Sequence, residues 1–92
     1  MTYRITKRPD ETADYGVDWL KDLGTTTISA STWAASSADV TVVSASNTTT
    51  TTSVRLSGGQ AGQTYYLENR VTCADGQILE AEIELLVSKV NI

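Results

Sequence analysis

The sequence predicts an all-β fold, a sandwich of about seven short strands paired antiparallel. Three observations predict it. Apolar and polar residues alternate with period two in successive segments, the signature of half-buried strands. Clusters of Gly, Ser, Asn and Asp separate these segments at roughly 8 to 12 residue intervals. A chain of 92 residues has room for one hydrophobic core.

In chain order, residues 1–10 carry Arg4, Lys7 and Arg8, with Tyr3 and Ile5 alternating with Arg4 and Thr6. They read as a basic N-terminal arm that lies against an acidic neighbour or back on an acidic body, and residues 11–92 read as the single sandwich domain. From Asp10 to Leu23, a helix would stack Asp14, Asp18 and Asp22 at like-charge i, i+4 spacing and enclose Gly16. A strand instead turns Ala13, Tyr15, Val17 and Trp19 inward, with a helical turn near Lys21. Thr27 to Trp33 points Ile28 and Ala30 inward, and Asp39 to Ala45 does the same with Val40 and Val42. Asn47 to Thr51 lacks apolar anchors and reads as a mobile tip. Thr52 to Leu56 turns Val54 and Leu56 inward, and a glycine-rich corner from Ser57 to Gly62 follows.

The last two strands carry the clearest pattern. Residues 64–73 put Tyr65, Leu67, Asn69, Val71 and Cys73 in one row. Residues 78–87 put Leu79, Ala81, Ile83, Leu85 and Val87 on one face, with Glu80, Glu82 and Glu84 on the other. A two-residue Asp-Gly loop would set Val71 beside Glu80. The three-residue loop Ala74-Asp75-Gly76 sets Val71 against Leu79 and Arg70 against Glu80, so both faces agree and Gly76 takes a left-handed conformation. The pattern as a whole is of immunoglobulin or fibronectin III type. Tyr65 or Tyr66 then stands where such sandwiches place a corner tyrosine, and Trp33 or Trp19 fills the space between the sheets.

Chemistry is sparse. His is absent and Cys73 stands alone, which removes the usual general base, a disulfide and a thiolate metal cluster. A net charge of −4 and a pI near 4.5 argue against nucleic acid. No run approaches the ~18 apolar residues of a membrane span, and no apolar stretch follows the basic start as a secretory signal requires. The chain therefore reads as made in a cytoplasm. Glu80, Glu82 and Glu84 on one strand face stand about 7 Å apart and diverge, unlike the converging oxygens of a calcium site. Ser57-Gly58-Gly59-Gln60-Ala61-Gly62 lacks the Lys and the following helix of a phosphate loop. Cys73, in the inward row, has no activating cation beside it and reads as an inert core residue. Lys21 or Lys89 with a serine makes a formal catalytic pair that nothing else in the chain supports. The expectation is a protein without catalytic, cofactor or metal residues.

One set of residues is distinctive together: Pro9-Asp10-Glu11, Asp14-Tyr15-Gly16-Val17-Asp18-Trp19, Ile28, Ser31-Thr32-Trp33, Leu56-Ser57-Gly58-Gly59, Gly62, Tyr65, Asn69-Arg70-Val71-Thr72 and Gly76. In this order they resemble a family of small tailed-bacteriophage proteins described as phage fibre–tail adaptors, over about residues 7 to 87. The resemblance implies an immunoglobulin-like virion protein of the tail, present in several copies and contacting tail and fibre subunits, with no nucleic acid or membrane partner. A capsid decoration or neck protein of the same fold is the alternative, and a carbohydrate-binding module on the six Tyr and Trp residues is the second. The expected partner interface comprises Tyr3, Arg4, Ile5, Lys7 and Arg8 of the arm with Gly58, Gly59, Gln60 and Gly62 of the corner.

Overall fold

The structure, a computed structural model, describes residues 2–88. Met1 of the expected arm and residues 89–92 of the expected domain, Lys89 among them, lie outside the described residues. The chain runs β1 (Thr2–Lys7), β2 (Ala13–Asp18), α1 (Leu20–Leu23), β3 (Ile28–Ala35), β4 (Val40–Asn47), β5 (Thr51–Gly58), β6 (Thr64–Cys73) and β7 (Ile78–Val87). A four-stranded sheet has the order β1-β7-β6-β3 and a three-stranded sheet the order β2-β5-β4. Their facing sides hold the core, in which Trp19, Leu56, Leu67, Val71, Leu85 and Val87 are almost fully enclosed.

The alternation explains this burial strand by strand. Tyr65, Leu67, Asn69, Val71 and Cys73 are all buried while the intervening Tyr66, Glu68 and Arg70 are exposed. Val54 and Leu56 face them from β5. The β6–β7 hairpin has the expected register, Val71 against Leu79 and Arg70 against Glu80. Cys73 N–H donates to the Gln77 carbonyl at 2.8 Å and Gly76 has φ 94°, a left-handed conformation that costs glycine little. Asp10 to Leu23 is a strand followed by a single helical turn, as the aspartate spacing required. Trp19 rather than Trp33 is the fully buried indole.

Residues 2–7 of the expected arm lie back on the acidic body, one of the two placements expected of them. They form β1, the outer strand of the four-stranded sheet, and pair with β7 from Thr2 opposite Glu82 to Lys7 opposite Val87. This pairing is parallel, so the sandwich is not purely antiparallel; chain ends distant in sequence can pair either way, and alternation carries no sign of direction. Ala30 is exposed rather than inward, because a bulge between Ile28 and Ala30 shifts the strand by one residue and turns Ser31, Trp33 and Ala35 toward the core instead. The threonine segment is a hydrogen-bonded turn rather than a loose tip. Thr48 N–H donates to Thr51 O at 2.9 Å, and the Thr49 and Thr50 carbonyls accept from Ile28 N–H and Trp19 N–H, each at 2.9 Å.

Candidate docking surface

The nine residues expected at a partner interface fall in two places. Lys7, Arg8 and the Gly58–Gly62 corner meet at one end of the sandwich; Tyr3, Arg4 and Ile5 lie further along β1. Tyr65 organises the corner. Its hydroxyl accepts from Gln60 N–H at 2.9 Å and donates to the Asp39 carboxylate at 3.2 Å. Gly59 N–H donates to the Asp39 carbonyl and Gly62 N–H to the Val87 carbonyl, both at 2.8 Å. The glycines serve this closure. A Cβ on Gly59 would stand 2.7 Å from Val87 Cγ2, one on Gly58 would collide with the Asp39 carbonyl, and both have positive φ.

Lys7, one of the nine, is enclosed by main chain. Only 1% of it is exposed. Its Nζ donates to the carbonyls of Gly58 and Arg8, each at 2.7 Å, and of Pro9 at 3.4 Å. Burial pushes its pKa below the ordinary lysine value, while the Glu11 and Asp10 carboxylates oppose the shift. Lys7 thus ties the end of β1 to the corner. Tyr3 and Ile5 pack half-buried against the core, so they anchor β1 to its own sheet. Arg4 is exposed and paired with Glu84 at 3.4 Å. Arg8, Gln60 and Gly62 are exposed, with Arg8 N–H bonded to Glu11 Oε1 at 3.1 Å.

The distinctive motif residues also hold the framework together. Asp14 makes a two-point ion pair with Arg55 at 2.7 and 3.1 Å, and that guanidinium hydrogen bond holds its carboxyl below the usual aspartate range. Tyr15 hydroxyl donates to Thr6 O at 3.1 Å, joining β2 to β1. A Cβ on Gly16 would lie 2.9 Å from Thr52 O. Asp18 accepts from Leu20 N–H at 3.0 Å. Trp19 Nε1 lies 3.2 Å from both Thr52 Oγ1 and Asn69 Oδ1. Asn69 has no exposed surface. Its Oδ1 accepts from Thr52 Oγ1 at 2.6 Å, and its Nδ2 donates to Ser31 Oγ at 2.9 Å and to Thr32 O at 3.0 Å. This network couples β3, β5 and β6, and the β2–α1 junction at Trp19, across the core. Sequence reasoning placed Asn69 in the inward row without giving it a role; an amide in an otherwise apolar row was the available signal.

What remains for a partner is the outside. The outer face of the four-stranded sheet carries Glu68, Glu80, Glu82 and Glu84 with Arg4 and Arg70. Glu68 stands opposite Glu82. Arg70 bonds Glu80 at 3.1 Å and holds it below the usual carboxylate range, while the adjacent Glu80 carboxyl pushes Glu68 up. These carboxylates lie on an open sheet surface rather than across a cleft. The outer face of the three-stranded sheet is a shallow trough over Gly16, Ser44, Ser46 and Ser53, bounded by Asp14 and Arg55. Between the sheets a narrow cavity of about 80 Å³ is lined by Tyr3, Ile5, Tyr15, Trp33 and Leu67, among others. Cys73 is buried, and burial pushes its thiol pKa up, away from nucleophilic reactivity. Among the described residues no group of His, Cys, Asp and Glu could hold a metal ion, and no helix is long and apolar enough to cross a membrane.

Comparison with known proteins adds one finding. A family model described as "Podophage GP4 fiber-tail adaptor protein gp77" matches residues 7–86. No curated protein matches the chain.

Proposed function

The chain belongs to the podophage fibre-tail adaptor family, and from that premise we propose that it is a non-enzymatic connector of the virion tail, holding fibre subunits to the tail by protein–protein contact. The match over residues 7–86 carries this reading: it runs from the last residue of β1 to the penultimate residue of β7, so it takes in nearly the whole two-layer body. The structure supports the mode of action. The glycine corner, Lys7, Trp19 and Asn69 are occupied in holding the sheets together, which leaves sheet faces and strand edges to make contacts. Adhesion by complementary surfaces needs no reaction. The strand order and the tyrosine at the Ser57–Gly62 corner support an immunoglobulin-like connectivity. The protein would be made in the host cytoplasm and work in several copies, with tail and fibre subunits as partners.

Of the interface residues, Arg4, Arg8, Gln60 and Gly62 keep exposed surface and remain the proposed contacts, with Tyr3, Ile5, Lys7, Gly58 and Gly59 shaping the surface from beneath. The test is a phage lacking this gene, imaged as intact particles. Filled heads with tails that lack fibres are expected. Particles that retain their fibres would overturn the proposal; in wild-type particles, labelled protein spread over the head would move the chain to capsid decoration.

A further inference from the structure

The charges of this acidic chain are unevenly placed. From Gly24 to Ser53 a single charged residue occurs, Asp39, and its carboxylate is engaged by the Tyr65 hydroxyl. That neutral stretch builds β3 and β4. β3 ends the four-stranded sheet, β4 ends the three-stranded sheet, and the two pack beside each other. The two strands of this flank, one in each layer, therefore carry no charged side chain, and Asp39 in the turn between them is the one charge of the stretch. The opposite flank is formed by β1 and β2, which carry Arg4, Asp14 and Asp18 and are joined by the Tyr15–Thr6 hydrogen bond.

An edge strand presents a row of main-chain donors and acceptors. Lysines, prolines and inward charges are the usual devices that keep it from pairing with another chain. β4 reads Val-Thr-Val-Val-Ser-Ala-Ser-Asn and has none of them. Val43 to Asn47 are exposed on both faces of the strand, Val43 to 51%, and the small side chains of Ser44, Ala45 and Ser46 allow another backbone to come close. The bulge between Val42 and Ser44 is the one interruption, and it leaves Ser44 to Asn47 as a regular run. Among the described residues no strand pairs with β4 on its outer side.

We propose that this flank docks a second copy of the chain, with β4 pairing antiparallel to β4 of the other copy about a two-fold axis. Charge decides the occupant. A chain of net charge −4 repels its own kind over most of its surface, and the neutral flank is where two copies meet without opposing like charges. The same strand read in both directions is self-complementary, as a two-fold interface requires. Pairing joins the two three-stranded sheets into one continuous sheet and covers the unguarded edge of each copy. This inference goes beyond the adaptor reading and is independent of it, since it concerns the purified chain alone.

Sedimentation of the purified protein over a concentration series tests it. The expected result is a mass that doubles as concentration rises. The double variant Ser44→Lys/Ser46→Lys should stay at the single-chain mass at every concentration, with an unchanged circular dichroism spectrum. Single variants Ser44→Cys, Ala45→Cys and Ser46→Cys supply a second readout. Paired strands bring facing Cα atoms to about 4.5–5.5 Å, within disulfide reach, so at least one should form a disulfide-linked dimer under mild oxidation; buried Cys73 does not compete. A wild-type chain that remains single to its solubility limit would overturn the proposal. So would a dimer that survives the two lysines, or the failure of all three cysteine variants to cross-link should the lysine variant misfold.

Discussion

Asn69 shows how a single polar side chain selects one packing of two sheets. Its amide and carbonyl are both satisfied inside the core, by Ser31, Thr32, Thr52 and Trp19. Satisfied in this way, a buried amide constrains the register of every strand it touches, because a slip leaves its partners dry and unpaired. Asn69→Ala is expected to lose about 1–3 kcal/mol for the groups left unpaired, measured by denaturant unfolding. Asp14 makes a different contribution, at the surface. Its pKa is depressed below 3.8 by Arg55. A carboxyl depressed in the folded state binds fewer protons there than in the unfolded chain. Its stabilisation is thus present above 3.8 and is lost as pH falls through the lower folded value. Asp14→Asn should flatten that part of the acid limb, read as thermal midpoints between neutral pH and strong acid: the variant starts slightly lower at pH 7, where the wild-type pair is intact, and meets the wild type in strong acid, where that pair is already lost. A slope unchanged by the substitution would show that the ion pair is not what titrates there.

At the scale of elements, legibility followed locality. The β6–β7 hairpin could be read because its turn is local: a loop length and two alternating rows leave one register, Val71 against Leu79. The strand over Ala13–Asp18 and the turn after it were legible because a helix would have stacked three aspartates. β1 was not, since each of its residues pairs with one 80 positions further along the chain and nothing local marks such a pairing. The inward face of β3 was misread because a bulge leaves no trace in alternation. The carbonyl cage around Lys7 was not legible either, since the Gly58 carbonyl that helps form it lies 51 residues away. The threonine turn belongs with these. Its length suggested slack, and closure entropy alone would make shortening cheap. Yet its carbonyls hold Trp19 and Ile28. Deleting two residues between Thr48 and Thr51 is therefore expected to cost about 1–3 kcal/mol through those main-chain bonds, seen as a lowered melting temperature. An unchanged melting temperature would restore the idea of a loose tip.

For the molecule as a whole, the candidate site was only partly legible. The residues that carry the family resemblance are those that build the frame, as Asp14, Gly16, Trp19, Gly58, Gly59, Tyr65 and Asn69 each show by a specific contact. They report what the chain folds into and say little about what it touches. The charge balance of a whole flank, by contrast, appears only when strands are assigned to edges, since β3 and β4 become neighbours across two different sheets.

The parallel pairing of β1 with β7 bears on mechanics. Thr2 lies opposite Glu82 and Lys7 opposite Val87, so the chain enters the ladder at one end and leaves it at the other. Tension applied between the two ends then runs along the strands. It loads the ladder in shear, with its main-chain bonds sharing the force, where a hairpin pulled from its open end would unzip one bond at a time. Pulling single molecules by residues 2 and 88 should give a markedly higher rupture force than pulling across β6 and β7 from Gln63 and Ser88, and equal forces would show that the β1–β7 ladder carries no load.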